Sequence, residues 1–452
     1  MESRLSKDKE FYLLLWRLSI PLFFQQLLRI SVSTLNSIML GRVDALQMAA
    51  AAQADQVFFI YYTACSGLSY GASVLVSQYW GKKDTEAIRT ISAIAIRIMA
   101  IAGSIFALCV WLFPAAFMRL YSADASLIAY GKSYLRIVSL MYPLCGISVM
   151  IFALSRSVEQ VKIALFSNIV SYSANILLNY FLVYGKAGFP AMGISGVAIG
   201  TVCARVLEVL IAGSFFLKDE AIPFALEDIN RSDSALRKSL LVTTAAILGH
   251  ELVWALGTSS GSMILGQLGS DAVAGYHITT VLYDLFGTVG IGFSSACSVA
   301  IGMTLGKGEK EEAIRQSRSI LLIAAVLGVL CGVGTWIVRQ PFIHIYALSL
   351  EAQSYASQFM GVIALIWPFS CLEMVTMVAI LRAGGDGKIG FYTDIVVMWC
   401  LCIPLAALAA FVWHLKPLIV VTIVKFIIVL EAIVGIIRVY SNKWVRDLTG
   451  NE

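Results

Sequence analysis

Hydrophobic runs of 20 or more residues alternate with short polar loops along almost the whole chain of 452 residues. An α-helix needs about 20 apolar residues to cross the hydrocarbon core of a bilayer, and these runs meet that requirement. The pattern predicts an all-α polytopic membrane protein with twelve spans, numbered 1 to 12 in chain order. The predicted bounds are 12–39, 46–78, 88–113, 127–153, 162–184, 193–217, 239–265, 272–304, 315–338, 354–381, 389–413 and 416–440.

Composition and charge strengthen this interpretation. Charged residues make up 13% of the chain and the mean hydropathy is +0.82, whereas a soluble domain carries about 25% charged residues. Of the 33 lysines and arginines, 22 lie in the two terminal segments and the loops on their side of the membrane or in the adjoining ends of the spans. Because positive charge concentrates on the cytoplasmic side, both termini are predicted to be cytoplasmic. The same distribution explains the net charge of +5 without a nucleic-acid partner.

An internal repeat divides the chain. The segment GLSYGASVLVSQYWGK at 67–82 matches GFSSACSVAIGMTLGK at 292–307, an offset of 225 residues. Each copy contains an even number of spans, so the two copies are expected to form parallel six-helix repeats. We expect an N-terminal bundle at 1–218, a polar cytoplasmic linker at 219–238 and a C-terminal bundle at 239–452.

Ionisable residues inside spans are the main candidates for function, because a charge at the bilayer centre costs about 2.5–3.5 kcal/mol on insertion scales. Glu251 in span 7, Asp284 in span 8 and Glu373 in span 10 are candidate residues for ion coupling or substrate binding, with a structural, paired role as the alternative. Arg205 and Glu208 are three residues apart in span 6, where they are expected to neutralise each other.

Two neighbours of these acids are expected to be structural. His250 precedes Glu251 but points about 100° away from it on a helix, so it is predicted to be a hydrogen-bonded interface residue. Asp394 lies near the start of span 11, at its predicted cytoplasmic end. We expect it to pair with Arg382 or Lys388 in the preceding segment.

The repeat predicts a shared polar cavity. An offset of 225 places Gln26 opposite Glu251, and Arg29 lies one turn from Gln26. Whether Arg29 pairs with Glu251 stays open at this point. Trp254 and Tyr283 add aromatic rings beside the acids, and such rings attract organic cations. We therefore assign Gln26, Arg29, Trp254 and Tyr283 to a central substrate cavity.

The sequence gives no support for an intramembrane enzyme. The string HELVW has Trp254 where a zinc-protease motif needs its second histidine. The nine cysteines show no spacing typical of metal ligands. We predict no catalytic residues, no metal and no cofactor other than a coupling ion.

Four short motifs resemble those of the multidrug and toxic compound extrusion (MATE) family. They are MLGRVD, SQYWGKKDTEAIR after span 2, MTLGKGEKEEAIR after span 8 and LRAGGDGK after span 10. With the layout of six plus six spans, the resemblance covers nearly the whole chain. The competing major-facilitator family has a different loop after its second span, whereas this loop reads GKKDTEAIR.

The resemblance implies a secondary active antiporter of the cytoplasmic (inner) membrane. It would export small cationic or amphipathic organic compounds in exchange for protons or sodium ions, with protons slightly favoured. We expect contact with membrane lipid and a functional monomer. The alternative is a flippase for lipid-linked saccharides or other amphiphiles, for which the basic side chains of Arg29 and Arg97 give slight support.

The resemblance also implies a polar site in the N-terminal half, where this chain departs from the family pattern. Asn36 in span 1 and Asn179 in span 5 stand where the family often has acids, next to Asn175 and Thr201. An amide can donate and accept hydrogen bonds but cannot take up a proton near neutral pH. We therefore expect Asn36, Asn175, Asn179 and Thr201 to contact substrate, and ion coupling to lie in the C-terminal half.

Overall fold

The structure, a computed structural model, is all-helical in its described part. That part has eleven helices long and apolar enough to cross a membrane, and a bent pair of helices that completes a twelfth span. The described residues are 5–121, 124–219, 222, 224–346, 348–446 and 448–449.

The twelve predicted spans correspond to the helices of the structure in order. Spans 1 to 6 are Lys9–Gly41, Ala45–Gly81, Thr85–Leu112, Ala125–Val138 with Met141–Ser157, Val161–Tyr184 and Ile194–Leu217. Spans 7 to 9 are Ser234–Leu265, Ser270–Gly306 and Lys310–Ile343. Span 10 is Leu350–Glu373, Met374–Ile380 and Leu381–Ala383; span 11 is Lys388–Thr393, Asp394–Cys402, Ile403–Ala407 and Leu408–Val412; span 12 is Pro417–Tyr440. Pro114–Arg119 and the 3₁₀ helix Leu226–Asn230 are short helices between spans.

Side-chain caps explain where several helices begin. Asp84 accepts a hydrogen bond from the Ala87 amide at 3.0 Å at the start of span 3. Ser349 accepts one from the Ala352 amide at 3.1 Å at the start of span 10. Such caps satisfy amides that have no partner within the helix.

Span 4 departs from the predicted continuous helix. Its two pieces meet at an angle of 53° around residues 139–140. Pro143 is the third residue of the second piece. Proline lacks an amide proton and is tolerated in the first turn of a helix, where that proton is not needed. A helix that restarts just before the proline avoids the lost hydrogen bond.

Span 10 contains a π-helical segment, Met374–Ile380, at a place where the repeat changes register. Pro143 and Pro368 are 225 residues apart, whereas Arg156 and Arg382 are 226 apart. The second copy therefore has one additional residue between these two positions. A π-helical turn has i→i+5 hydrogen bonds and accommodates this residue without ending the helix.

The structure divides into two compact units. The described residues of the C-terminal unit lie within Met1–Phe23, Ser77–Lys82 and Ala245–Glu452, and those of the N-terminal unit within Phe24–Val76 and Lys83–Thr244. Spans 1, 2 and 7 thus contribute residues to both units, and the predicted linker falls within the N-terminal unit. The predicted functional halves, with boundaries at 218 and 239, stay a prediction.

The C-terminal unit packs around buried aromatic and small residues. Trp367 is fully buried, and its indole N–H donates to Thr335 Oγ1 at 2.9 Å. Gly328 of span 9 lies directly against the backbone of span 10, the helix that carries Trp367. A Cβ added at Gly328 would be 2.5 Å from the Cα of Pro368. This close approach of spans 9 and 10 requires glycine.

The N-terminal unit packs around an aromatic cluster. Tyr61 lies 5.0 Å from the ring centroids of both Phe106 and Tyr142. Its hydroxyl donates to the Tyr142 carbonyl at 2.5 Å, which satisfies a polar group in a buried position. These contacts tie span 2 to spans 3 and 4.

The segment after span 6 is held by an ionic network in the N-terminal unit. Asp228 accepts hydrogen bonds from Arg89 Nη2 at 2.7 Å and from Arg231 Nε at 2.5 Å. Arg97, for which the sequence suggested no partner, donates to the Arg231 carbonyl at 2.5 Å. Burial opposes ionisation of Asp228, but the bonds from the Ala225 amide and the two arginines outweigh it and lower its pKa to about 2.

The segment after span 12 is held in a similar way in the C-terminal unit. The buried Asp386 accepts from Arg438 Nε at 2.7 Å and lies 3.2 Å from Arg446 Nη2. Trp444 is fully buried, and its backbone packs on Gly384, where an added Cβ would be 2.3 Å from the Trp444 carbonyl oxygen. Each half of the chain therefore ends in a segment anchored by an aspartate that binds two arginines.

Candidate functional site

A buried group of charged side chains occupies the C-terminal unit. Arg382, 2% exposed, donates from one nitrogen, Nη2, toward Glu251 Oε1 at 2.7 Å and His250 Nδ1 at 2.6 Å. Glu251 is largely buried, with 16% of its side chain exposed. The residue pair that the sequence placed in the middle of span 7 thus meets at a single guanidinium from the end of span 10.

His250 is held between this arginine and span 11. Its ring lies against Gly390, where an added Cβ would be 2.6 Å from His250 Cδ2. An arginine can only donate, so His250 Nδ1 accepts and the ring proton resides on Nε2 in the neutral imidazole. Nε2 is 3.5 Å from Asp394 Oδ2. The ring therefore lies between Arg382 and the carboxyl group of Asp394.

Three further acids surround this pair. Asp394 and Glu431 are 1% and 4% exposed, and their carboxyl groups lie side by side. Glu373 is within electrostatic range of both. Glu373 directly precedes the π-helical segment of span 10, and Asp394 begins the π-helical segment of span 11. Segments of this kind are frequent at functional sites because they change the direction of side chains within a helix.

The charges of this acidic cluster, defined as Glu251, Glu373, Asp394 and Glu431, do not balance. Arg382 contacts Glu251 and is within electrostatic range of Glu373 and Asp394, and Glu431 lies beside Asp394. Like charges repel strongly in a poorly polarisable interior, so four carboxylates with one positive partner would be unfavourable. One oxygen of Asp394 and one of Glu431 are buried without a hydrogen-bond partner. The arrangement can therefore accept additional positive charge, as protons or as a small cation.

The other C-terminal residues assigned from sequence lie elsewhere in this unit. Asp284 is exposed on span 8, and Trp254 is 40% exposed on span 7. Tyr283 stacks on Trp367 with 4.7 Å between ring centroids and hydrogen-bonds Ser370 Oγ at 2.7 Å. Of the three acids proposed from sequence, the structure brings Glu251 and Glu373 into the acidic cluster.

A second polar cluster lies in the N-terminal unit. Asn36 Nδ2 donates to Asn175 Oδ1 at 3.1 Å, and Asn179 Nδ2 donates to Asn36 Oδ1 at 2.8 Å. Asn175 Nδ2 contacts Thr201 Oγ1 at 3.3 Å. An added Cβ at Gly200 would be 2.0 Å from Asn179 Oδ1, so this glycine makes room for the amide. The four residues grouped from sequence are adjacent in the structure, and we name them the amide cluster.

The remaining residues assigned to the cavity have local partners. Arg29 Nε donates to Gln26 Oε1 at 3.0 Å, and its guanidinium lies 5.6 Å from the ring centroid of Tyr62. Arg205 and Glu208 form the predicted ion pair at 2.7 Å, which confirms that these two charges in span 6 neutralise each other.

One expectation about the acidic cluster is wrong. His250 is hydrogen-bonded as expected, but it is not separate from Glu251, since both side chains meet at Arg382. Asp394 Oδ2 lies 3.5 Å from His250 Nε2, and its carboxyl group is within electrostatic range of Arg382, so the expected pairing with Arg382 stays a prediction. Helical spacing alone separated these residues; a partner from another span joins them. Glu431 was missed, although its position inside span 12 marked it as costly.

The family of this chain is identified by its similarity to known proteins. The MatE family model matches residues 21–181 and 246–408, most of the chain. The chain belongs to the MatE family. Members of this family are transporters that need no cofactor, so this MatE protein is a multi-pass membrane transporter and not an enzyme.

Individual relatives agree over most of their length. A probable multidrug resistance protein NorM of Agrobacterium fabrum is 24% identical over 407 residues, covering 87% of this chain and 86% of that protein. The uncharacterized transporter YisQ of Bacillus subtilis is 22% identical over 404 residues, covering 89% and 88%. These relatives are similar in length as well as in sequence.

Solved structures confirm the fold. A MOP superfamily transporter from Pyrococcus furiosus superposes with a TM-score of 0.86 at 16% identity, covering 97% of this chain and 99% of that one. The Vibrio cholerae MATE transporter VcmN superposes with a TM-score of 0.87 at 16% identity, covering 96% and 97%. The twelve-helix fold predicted from hydropathy and from the repeat is that of MATE transporters.

Proposed function

We propose that this MatE transporter is a secondary active antiporter that exports cationic or amphipathic organic compounds in exchange for protons or sodium ions. The observation that carries the proposal is the excess of carboxyl groups around Arg382 in the C-terminal unit. A site with excess acids binds positive charge from either source, the coupling ion or the substrate. Competition between these two is the physical basis of antiport by alternating access.

Protons are favoured over sodium as the coupling ion. Arg382 Nη2 already lies 2.7 Å from Glu251 Oε1, where a metal ion would have to approach. A proton can bind to Asp394 or Glu431 without displacing the guanidinium. An ion that enters along the membrane potential releases about 2.3 kcal/mol per charge per 100 mV, which would drive export.

The substrate class rests on two observations. Several relatives carry names that describe multidrug resistance, among them the NorM protein of Agrobacterium fabrum and MdtK of Edwardsiella ictaluri. Aromatic side chains accompany the acids in the C-terminal unit, including Tyr283, whose hydroxyl is within electrostatic range of Glu373. We propose that this chain also transports small organic cations. We further propose that it acts as a monomer in the cytoplasmic membrane.

Reconstitution into liposomes tests the proposal. Full-length protein is given an imposed pH or sodium gradient, and export of a fluorescent organic cation is compared between wild type, Glu251→Gln and Glu351→Gln. Glu351 is an exposed residue in the first turn of span 10, so its variant is the matched control. We expect Glu251→Gln to lose gradient-driven export and Glu351→Gln to retain it.

Three results would change the conclusion. Full export by Glu251→Gln would refute the role of the acidic cluster. Export driven by a sodium gradient at equal pH, and not by a pH gradient, would refute the preference for protons. Movement of a lipid-linked saccharide by wild type without any ion gradient would favour a flippase instead.

A further inference from the structure

Lys425 faces two aromatic rings inside the C-terminal unit. It is a half-buried residue in the middle of span 12. Its Nζ lies 4.7 Å from the ring centroid of Tyr283 and 5.8 Å from that of Tyr276. The two tyrosines are seven residues apart on span 8 and share one helix face. The lysine ammonium group is thus placed against an aromatic surface formed by two rings.

Both rings are fixed by contacts on their other sides. Tyr283 stacks on the fully buried Trp367 at an interplanar angle of 22°, and its hydroxyl hydrogen-bonds Ser370 at 2.7 Å. Tyr276 makes an edge contact with Phe359 at 6.4 Å. Because the rings are held in place before any ligand arrives, little order has to be gained when a cation binds them.

The electrostatic surroundings also suit a cation. The carboxyl groups of Glu373 and Asp284 are within electrostatic range of Tyr283. A ring face attracts an ammonium group through its quadrupole, and the attraction grows when water is excluded. A lysine charge within a span is otherwise costly. The surface therefore has the chemistry of a receptor for ammonium groups, and a side chain of the protein occupies it.

We propose that Tyr276 and Tyr283 form the binding site for the positively charged group of the transported organic cation, and that Lys425 occupies this site when no substrate is bound. This inference rests on the proposed export of organic cations and specifies where they bind. Lys425 acts as a tethered competitor: a substrate has to displace its ammonium group before it reaches the rings.

The proposal predicts that removal of the Lys425 charge strengthens cation binding, which the alternative roles of this lysine do not predict. If Lys425 only stabilised the packing of spans 8 and 12, its removal would weaken the protein and any binding. If it attracted an anionic substrate, its removal would lower affinity for that anion and leave organic cations unaffected. If it competes with a cation, its removal raises affinity for cations.

Equilibrium binding of tetraphenylphosphonium to the purified full-length protein tests this, at constant pH and sodium and without a gradient. Lys425→Met keeps the length of the side chain and removes the charge. We expect it to bind the probe about 2-fold to 30-fold more tightly than wild type, the range that corresponds to one cation–π contact. Lys416→Met, an exposed lysine at the start of span 12, is the matched control and should bind as wild type does.

Tyrosine variants identify the rings as the site. Tyr283→Phe keeps the ring and should stay close to wild type, whereas Tyr283→Leu should weaken binding of the probe by at least about 2-fold. Gel filtration of each variant shows whether it is folded. Unchanged or weaker binding in a folded Lys425→Met variant refutes the proposal. Because no ion gradient is present, this result is separate from the outcome for Glu251→Gln in liposomes.

Discussion

The two halves of this MatE transporter handle a buried glutamate in opposite ways. Glu208 and Glu431 both end a Val-Leu-Glu tripeptide, 223 residues apart, in the last span of each half. Glu208 is neutralised on its own helix by Arg205 at 2.7 Å. Glu431 instead lies beside Asp394, another acid. The glutamate of this tripeptide thus forms an ion pair within its own helix in the N-terminal half, and belongs to the acidic cluster in the C-terminal half.

The amide cluster shows the reverse difference. The offset of 225 pairs Asn36 with Gly261, and the offset of 223 between the two Val-Leu-Glu tripeptides pairs Thr201 with Val424. These two residues are also neighbours: an added Cβ at Gly261 would be 3.2 Å from Val424 Cγ1. The C-terminal half therefore packs apolar atoms where the N-terminal half forms hydrogen bonds between amides. The amide cluster and the acidic cluster thus lie at different positions of the repeat.

In the proposed antiport, this difference separates substrate binding from ion coupling. An ion pair that is complete within one helix has little reason to exchange its charge. A group of four acids with a single arginine changes its charge whenever a proton or a cation enters or leaves. We infer that the amide cluster of the N-terminal half keeps a constant charge, whereas the acidic cluster of the C-terminal half changes its charge.

Removing the two equivalent arginines, Arg382 and Arg156, should give the largest difference in stability between the halves. Arg382→Met leaves four carboxyl groups without a positive partner, and loss of one member of a buried pair typically costs about 3–5 kcal/mol. Arg156→Met, the equivalent change in the N-terminal half, should cost less because Arg156 lies near the tyrosines Tyr62 and Tyr70 rather than among acids. Thermal unfolding of the purified variants measures both.

Acidification provides the control for this comparison. Protons can replace the missing positive charge in Arg382→Met, so lowering the pH should recover part of its stability relative to wild type. Arg156→Met should show no such recovery. Equal losses in the two variants, with the same dependence on pH, would contradict the division of the two halves.

The glycines that make room for each polar centre give a smaller contrast. Gly390→Ala would push a Cβ against His250, and Gly200→Ala would push one against Asn179. Each should destabilise the protein by roughly 1–3 kcal/mol, the usual cost of overpacking. In liposomes, however, Gly390→Ala should shift the pH dependence of export, whereas Gly200→Ala should alter substrate affinity alone. A shift of the pH profile by Gly200→Ala would show that both halves take part in coupling.

The smallest effects are expected at the two anchored segments. Asp228→Asn should expose the segment after span 6 to protease, and Asp386→Asn the segment after span 12. The pKa of Asp228 is lowered from an ordinary 3.8 to about 2. Its ionised form therefore stabilises the fold above pH 3.8, and that stabilisation is lost as the pH falls toward 2.

Cleavage by pepsin between pH 4 and about pH 2 checks this sign. Cleavage near Asp228 in wild type should rise as the pH falls, and Asp228→Asn should be cleaved readily at every pH in the range. If the two proteins respond to pH in parallel, the anchor does not depend on the charge of Asp228.

Hydropathy and the repeat were sufficient to predict the fold, because membrane helices are selected for length and apolarity. The bend in span 4 and the π-helical segment Met374–Ile380 were not predicted. Both are changes of hydrogen-bond register within an apolar run, and hydropathy does not depend on that register. The change of offset from 225 to 226 was visible in the sequence, however, and marks the position of the inserted residue.

The polar centres were predicted to different extents. Asn36, Asn175, Asn179 and Thr201 were grouped correctly from the family resemblance, since each occupies a recognisable motif position. Glu251 was recognised from its depth in span 7. The arginine beside it was not, because Arg382 was assigned to a loop and its reach toward span 7 depends on the packing of three helices. Partners that come from distant spans are the part of a site that one-dimensional spacing cannot supply.

The additional residue in span 10 has an evolutionary consequence. One residue corresponds to about 100° of helical rotation. After a gene duplication, the two copies would begin with the same residues on the same faces. One additional residue before Arg382 rotates the part of span 10 that follows it relative to the part that precedes it. Arg382 and Glu373 therefore no longer have the spacing of their N-terminal counterparts. Together with substitutions such as Glu251 at the position of Gln26, a change of this kind gives one copy an asymmetric centre while the fold is kept.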